Sequence, residues 1–336
     1  MENKMIVNSM PSPTFNWLGI NNAKMSYPNN NKLLISIEHN SDKFIIEKSE
    51  EFSIKNIETG MGENFQKEIE KAKNILRIET KENCDNGAIR LSLDITGGGK
   101  AGVEIKVNEN TKANIFIDIK GKDEDVAALE IRYILKDNAA LNLIEQSDID
   151  EDSAFANDIG GVIGKSASFH LIQLVLGGKE NYYGNFASLK GERGNFTYDM
   201  AYTTKDHEML DMNSVADYRN KKCNADTTVY GVMRHHSSKA FRGTINFNHG
   251  CPGSKGSELE KVILMDKDVH NKTVPVILCD EEDVEGSHGA SLGRLDENIM
   301  HYMRSRGLPE KMIYEMMSNA MVDEIKAKIP KVEFED

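Results

Sequence analysis

Cys251, Cys279, Glu285 and His288 fall close together in the last third of the chain and carry its most specific chemistry. His288 sits among small residues, Ser287-His288-Gly289-Ala290-Ser291, after a β-like run, Pro275-Val276-Ile277-Leu278-Cys279-Asp280. Imidazole titrates near neutrality and binds borderline metals, so this histidine suits metal ligation or proton handling. Cys279 precedes it by one strand and turn, and a thiolate with an imidazole can hold iron or a nascent iron–sulfur cluster. His288 and Cys279 are therefore the candidate metal ligands, with Cys251 and Glu285 beside them. The competing reading is structural: free cysteines act as small buried hydrophobes, and a histidine closing a β-coil needs no ligand.

Other reactive-looking patterns read as structure. The four cysteines, Cys84, Cys223, Cys251 and Cys279, form no C-x-x-C pair, so spacing alone gives no zinc or cluster motif. His235-His236, read on a strand, would point to opposite faces and chelate poorly; they and His249 are taken as structural. Gly97-Gly98-Gly99-Lys100 lacks the spacing of a phosphate loop and is followed by a strand-like run, so it is a turn. No Ser-His-Asp order or paired-carboxylate motif stands out.

Bulk properties exclude several classes. A net charge of −13 with pI near 5.3 gives no basic face for nucleic acid. No apolar run approaches the ~18 residues of a membrane span, and the first residues lack a signal-peptide pattern. A soluble, cytoplasmic protein without membrane or nucleic-acid partners is expected.

The elements that must position the candidates are mostly strands. Leu33–Ile37 and Phe44–Ile46 read as short strands after the turn-like Pro11-Ser12-Pro13-Thr14-Phe15 and the single tryptophan, Trp17. Glu63–Ile78 places Phe65, Ile69, Ala72 and Ile75-Leu76 at helical spacing. From Ala88 onward short alternating runs recur: Ile89–Ile95, Val103–Val107, Ile115–Ile119, Leu129–Leu135, Leu141–Ile144, Phe169–Leu176, Phe196–Tyr202, Thr227–Met233, Phe241–Phe247 and Val262–Met265. Ser147–Gly161 reads as a loop. Ten or more short strands fit a sandwich, a barrel or a solenoid, and pattern alone does not choose. At the end, Asp296 suits the N-cap of a helix over about Glu297–Arg306, Gly307 its C′ position, and Pro309 the N1 position of a second helix. Met312, Ile313, Met316, Met317, Ala320, Met321 and Ile325 recur along that second helix.

The series Pro275–Asp280, Asp283-Val284, Ser287–Asp296, Tyr302 and Arg304-Ser305-Arg306-Gly307-Leu308 resembles the C-terminal signature of the SufB/SufD family of iron–sulfur cluster assembly proteins. The resemblance is strong over about residues 240–325, weaker over the middle and faint at the N-terminus. It implies a mainly β fold: a right-handed parallel β-helix core with flanking N- and C-terminal α-helical segments. The expected regions are 1–87 (mixed and helical), 88–294 (β-helix) and 295–336 (helical). It also implies a non-catalytic scaffold subunit that pairs through its β-core with a SufB-like chain or with itself. The C-terminal helices would dock the SufC ATPase near Tyr302, Arg306, Met312, Glu315, Met316 and Asn319. No stably bound cofactor is expected, only a transient iron–sulfur cluster or iron. Two departures favour a SufD-like role: Glu260 stands near a position where SufB members carry cysteine, and Gly289 where they often carry glutamate. One alternative within the family is a homodimeric SufB-type scaffold that itself holds the nascent cluster. A remote one is a β-solenoid enzyme acting on carbohydrate.

Overall fold

A computed structural model describes residues 4–13, 18–28, 30, 32–39, 41–82, 84–122, 126–294, 297–332 and 334. The chain opens with an antiparallel pair, β1 (Lys4–Val7) and β2 (Ala23–Ser26), followed by β3 (Leu34–His39), β4 (Phe44–Ser49), helix α1 (Glu63–Glu70) and β5 (Ile75–Thr80). An array of long strands follows: β6 (Gly87–Asp94), β7 (Gly99–Val107), β8 (Lys112–Gly121), β9 (Val126–Leu135), β10 (Ala140–Ile149) and β11 (Ala154–Ile163). It continues with β12 (Ser168–Leu176), β13 (Glu180–Leu189), β14 (Asn195–Thr204), β15 (Met209–Tyr218) and β16 (Asn224–Met233). The last strands are β17 (Ser238–Phe247), β18 (Ser254–Leu264), β19 (His270–Cys279) and β20 (Val284–Arg294), before α2 (Glu297–Ser305) and α3 (Glu310–Lys326).

Each strand from β8 onward pairs in parallel with the strand two places before it, so the chain alternates between two nine-stranded sheets. The first sheet runs β20-β18-β16-β14-β12-β10-β8-β6-β3, the second β19-β17-β15-β13-β11-β9-β7-β5-β4. The result is the expected β-solenoid, of about eight turns. Its interior is the space between the sheets. There Ile115, Leu143 and Leu171 lie in one in-register column, and Phe169 stacks on Phe196 at 5.6 Å. Burial of each such side chain contributes roughly 1.5–3 kcal/mol.

The solenoid has a structural repeat that its sequence disguises. Asn110, Asn138, Ser166, Arg193 and Lys222 each stand two residues before the next strand, all with φ between 52° and 60°. Asparagine tolerates this left-handed conformation best, and Asn138 donates to Asn110 across one rung at 3.0 Å. The later rungs keep the conformation and change the residue.

Several expectations need correction. The helix predicted over Glu63–Ile78 ends at Glu70, because Lys73 takes φ 51° and Ile75–Thr80 pairs between β4 and β7. Of the predicted loop Ser147–Gly161 only residues 150–153 form a turn; the rest is the end of β10 and most of β11. The stretch around His288 forms β20, within the region read as β-helix. His235, read on a strand, stands in a turn at φ 53°. Pro309 is the N-cap of α3, with extended ψ, rather than its first helical residue. Gly307 does occupy C′, at φ 85°: its N–H donates to Arg304 O and that of Leu308 to Met303 O, a Schellman closure. Trp17 and the predicted N-cap Asp296 lie outside the described residues.

Both sheets are covered on their outer faces. The β1–β2 pair, α1 and the segment before it bury Met5, Val7, Phe52, Met61, Phe65 and Ile69 against the second sheet. Arg132 fastens this cover, bonding Glu130 at 2.6 Å and Glu70 at 2.8 Å beneath the Phe52 ring. On the first sheet α3 packs across β12, β14 and β16. Met321, Val322 and Ile325 meet Ile172, Leu174, Ala201 and Val232 there.

Candidate functional site

The candidates gather at the C-terminal end of the solenoid, where β19 and β20 are the last strands of their sheets. In β18, Gly256, Glu258, Glu260 and Val262 are buried while Lys255, Leu259 and Lys261 are exposed. Parallel register carries that alternation onto β20. His288, above Glu258, and Leu292, above Val262, therefore lie on the interior side. Glu285, above Lys255, lies outside. With no further rung over it, Leu292 is 54 % exposed and His288 is also exposed. From the other sheet Thr273, Ile277 and Cys279 occupy the interior columns of Phe241, Ile245 and Phe247.

Directly beneath the end lies a buried ionic network. The Lys239 ammonium is fully buried against the Glu260 carboxylate and donates to Thr273 Oγ1 at 2.9 Å. Thr273 in turn donates to Glu260 Oε2 at 2.6 Å. Burial pulls Lys239 below its ordinary value, and the Glu260 charge opposes that shift. Glu258 packs over Gly243, where a Cβ would fall 1.8 Å from its Oε2. Burial, reinforced by the neighbouring Glu260 charge, pushes Glu258 up to about 7. His288 thus follows Glu258 on the interior column. Sequence reading singled out Glu260 by position alone and missed Lys239, Glu258 and Thr273. The available signal was the alternation Glu258-x-Glu260-x-Val262, which puts both acids on the face of a core valine.

The four sequence candidates do not converge. His288 and Cys279 both face the interior side, from opposite sheets. Glu285 points away and pairs with Lys255 at 2.9 Å. Cys279 is exposed and its thiol donates to Glu281 O at 3.0 Å. Cys251 is buried, and its thiol is pushed up to about 11, first by burial and then by Glu281, Cys223 and Cys279. It is a thiol, not a thiolate, at neutral pH, and so a poor ligand or nucleophile. Among the described residues no three His, Cys, Asp or Glu side chains stand together in a metal-holding arrangement. A cleft of about 1180 Å³ lies elsewhere, on the outer face of the second sheet beside Thr59, Met61, Arg132 and Asn213.

The six residues expected at a partner contact are all exposed on the C-terminal helices. Met312, Glu315, Met316 and Asn319 share one face of α3 by their i, i+3, i+4, i+7 spacing. Met312 and Met316 are 45 % and 49 % exposed, while Ile313, Tyr314, Met321, Val322 and Ile325 form the buried face. On α2, Tyr302 and Ile299 extend the apolar surface, with the Arg306 guanidinium 5.2 Å over the Tyr302 ring. Among the described residues no helix is long and apolar enough to cross a membrane.

Comparison with known proteins follows the same outline. A family profile, the SUF system FeS cluster assembly SufBD core domain, matches residues 98–321. The chain is 32 % identical to the iron–sulfur cluster assembly protein SufD of Bacillus subtilis (strain 168) over 82 residues, 24 % of this chain and 19 % of that protein. It is 21 % identical to an iron–sulfur cluster assembly SufBD family protein of Mycobacterium leprae (strain TN) over 255 residues, 72 % of this chain and 64 % of that one. With SufD of Escherichia coli (strain K12) the identity is 24 % over 169 residues, 50 % and 40 % of the two chains. The matched region thus spans less than two thirds of each of these relatives.

Proposed function

Because the chain belongs to the SufB/SufD family of iron–sulfur cluster assembly proteins, we propose that it is a non-catalytic, cytoplasmic scaffold subunit of that system. It pairs through the open end of its solenoid with a SufB-like chain or a second copy. The observation that carries this reading is the pair of long, unpartnered edge strands, β19 and β20, whose interior side is left uncovered. An exposed strand edge is a template for another chain. The exposed methionines of α3 and Tyr302 of α2 support docking of a SufC-like ATPase, methionine being adaptable at binding surfaces. Iron or a cluster is cargo in this reading. His288 and Cys279 fit a transient ligand role only if a partner supplies the rest of the set, since the chain's own candidates stand apart. The SufD-like role follows from Glu260, whose carboxylate is committed to Lys239 where a sulfur-handling thiol would otherwise stand.

The test is anaerobic reconstitution with iron and sulfide, read by absorption and iron content, beside light scattering of the chain alone and with a SufB-like partner. The expected result is no stoichiometric cluster on the chain alone and a complex on mixing. A cluster lost on His288→Ala would instead favour the homodimeric, cluster-bearing scaffold.

A further inference from the structure

The segment 52–62, which crosses the outer face of the second sheet, rests on a pair of acids. Glu130 of β9 and Asp158 of β11 are direct neighbours in the parallel register, and both are fully buried. One oxygen of each is engaged: Glu130 Oε1 accepts from Arg132 Nε at 2.6 Å, and Asp158 Oδ1 from the Met61 N–H at 2.8 Å. The other oxygen of each, Glu130 Oε2 and Asp158 Oδ2, is buried without a partner. The segment lies close on the sheet because the rungs beneath it are glycines. A Cβ on Gly160 would fall 2.2 Å from the Glu58 carbonyl oxygen, and one on Gly184 would fall 2.7 Å from the Met61 nitrogen. Its further ties are the Gly60 N–H to Ile159 O at 3.4 Å and Asn213 Nδ2 to Gly60 O at 2.8 Å.

The charges facing this pair do not neutralise it. Among the described residues Arg132 is the one cation bonded to either acid, and it also serves Glu70 of α1 and the Ile54 carbonyl. Glu104 of β7 is committed to the Ile54 N–H, with Lys106 and Arg77 at 3.3 and 3.7 Å. Lys100 of β7 lies 3.6 Å from Glu68 of α1. Lys55 and Glu58 of the segment and Glu63 and Lys67 of α1 are exposed, and β13 places only Gly184 beside Asp158. A second unpaired charge buried here is costly, whereas one proton between the two orphan oxygens gives both a partner. Burial pushes Glu130 up to about 7 against the pull of Arg132, and Glu70 adds to the rise. Burial and then the Glu130 charge hold Asp158 well above its ordinary value. We propose that residues 52–62 are a proton-operated latch, closed while Glu130 and Asp158 share a proton and released when that proton leaves. Lifting the segment lets water reach both carboxylates, so opening releases protons and is favoured as pH rises. It also widens the cleft beside Thr59, Met61 and Arg132.

Hydrogen–deuterium exchange of the full chain, with rates divided by the intrinsic rate at each pH, tests this. Each proton released shifts opening about tenfold per pH unit. Protection of residues 52–62 should therefore fall at least tenfold between pH 5 and pH 8, while β12 and β14 of the other sheet keep theirs. Asp158→Asn retains an acceptor for the Met61 N–H, and Glu130→Gln retains one for Arg132. Each should show a smaller fall than the parent with circular dichroism unchanged, and the double variant should show less than twofold. Glu58→Gln, at an exposed position of the same segment, should respond to pH as the parent does. Protection that does not change with pH in the parent, an undiminished response in the Asp158 and Glu130 variants, loss of the response in Glu58→Gln, or equal loss of protection in β12 and β14 would each overturn the proposal.

Discussion

The two ends of the solenoid are built differently. At the N-terminal end β3 and β4 close the sheets by antiparallel pairing; both are six residues long, and β3 shifts register between Ile37 and His39. Short, bulged edges bearing Glu38, Glu47 and Lys48 are the usual defence against further strand addition. At the C-terminal end β19 and β20 run ten and eleven residues and pair with β17 and β18 without a shift. β19 carries Lys272 and Pro275, the latter tolerated at an edge. The interiors differ as well. The early rungs stack Ile89, Leu91, Ile105, Ile115, Ile117 and Ile131, with no charge among them. The later rungs hold Glu145 with Asn157 and Gln173, then Lys239, Glu258 and Glu260. Buried interior charge thus accumulates toward the end whose last strands are long and in register.

The largest expected effect strikes the buried charge. Lys239→Met leaves Glu260 buried without its cation and should cost about 3–5 kcal/mol by chemical denaturation. Lys239→Met with Glu260→Leu should recover most of that loss; equal damage in single and double variants would show that packing, not the ion pair, matters there. Second is Glu145, fully buried, which burial pushes up to about 7 although Gln173 and Asn157 oppose the shift. The folded state prefers the neutral acid, so stability is full below the ordinary value near 4.5 and declines as pH rises toward about 7. Glu145→Gln should therefore be more stable than the parent by about 3 kcal/mol above pH 7. That gap should close near pH 4.5, as denaturation midpoints across pH would report.

A smaller effect separates the two edges. Leu292→Lys adds a charge that water covers in the single chain but pairing would bury. It should weaken association at least tenfold, about 1.4 kcal/mol, by sedimentation equilibrium. Leu34→Lys, at a 66 % exposed position of the closed end, should change association less than twofold. Equal effects would erase the distinction between the ends. The smallest change in stability is expected of Met316→Glu, within about 0.5 kcal/mol, while capture of the proposed ATPase partner should fall in co-purification.

How much was legible in the sequence followed from how many faces of a strand are wet. Where one face lies in the core and the other meets water, as along Arg90–Asp94 of β6, alternation announced the strand. The four solenoid strands that sequence reading missed inside the stack, β5, β11, β13 and β15, all belong to the second sheet. In β11 Asp158 is buried outward, accepting from the Met61 N–H at 2.8 Å, and Gly160 lies under the backbone of Glu58 and Thr59. A strand buried on both faces loses its alternation, and only the long-range docking of residues 52–70 buries that second face. The C-terminal helices were legible because i, i+4 spacing and a C′ glycine are local signals. Which methionines face outward was not, since that depends on which side of α3 meets β12, β14 and β16.

The sequence by itself determined the local alternation of strands, the C-terminal helix boundary at Gly307, the acidic character and the segment in which the candidate residues lie. Only the tertiary structure decided that His288 and Cys279 face the interior side of the open end, that Glu285 faces away, and that Lys239 sits against Glu260. It alone set Asp158 beside Glu130. These placements depend on which residues share a rung across gaps of about thirty positions. That register is set by turns whose left-handed residue can be Asn, Ser, Arg, Lys, Asp or His, so no residue pattern announces it.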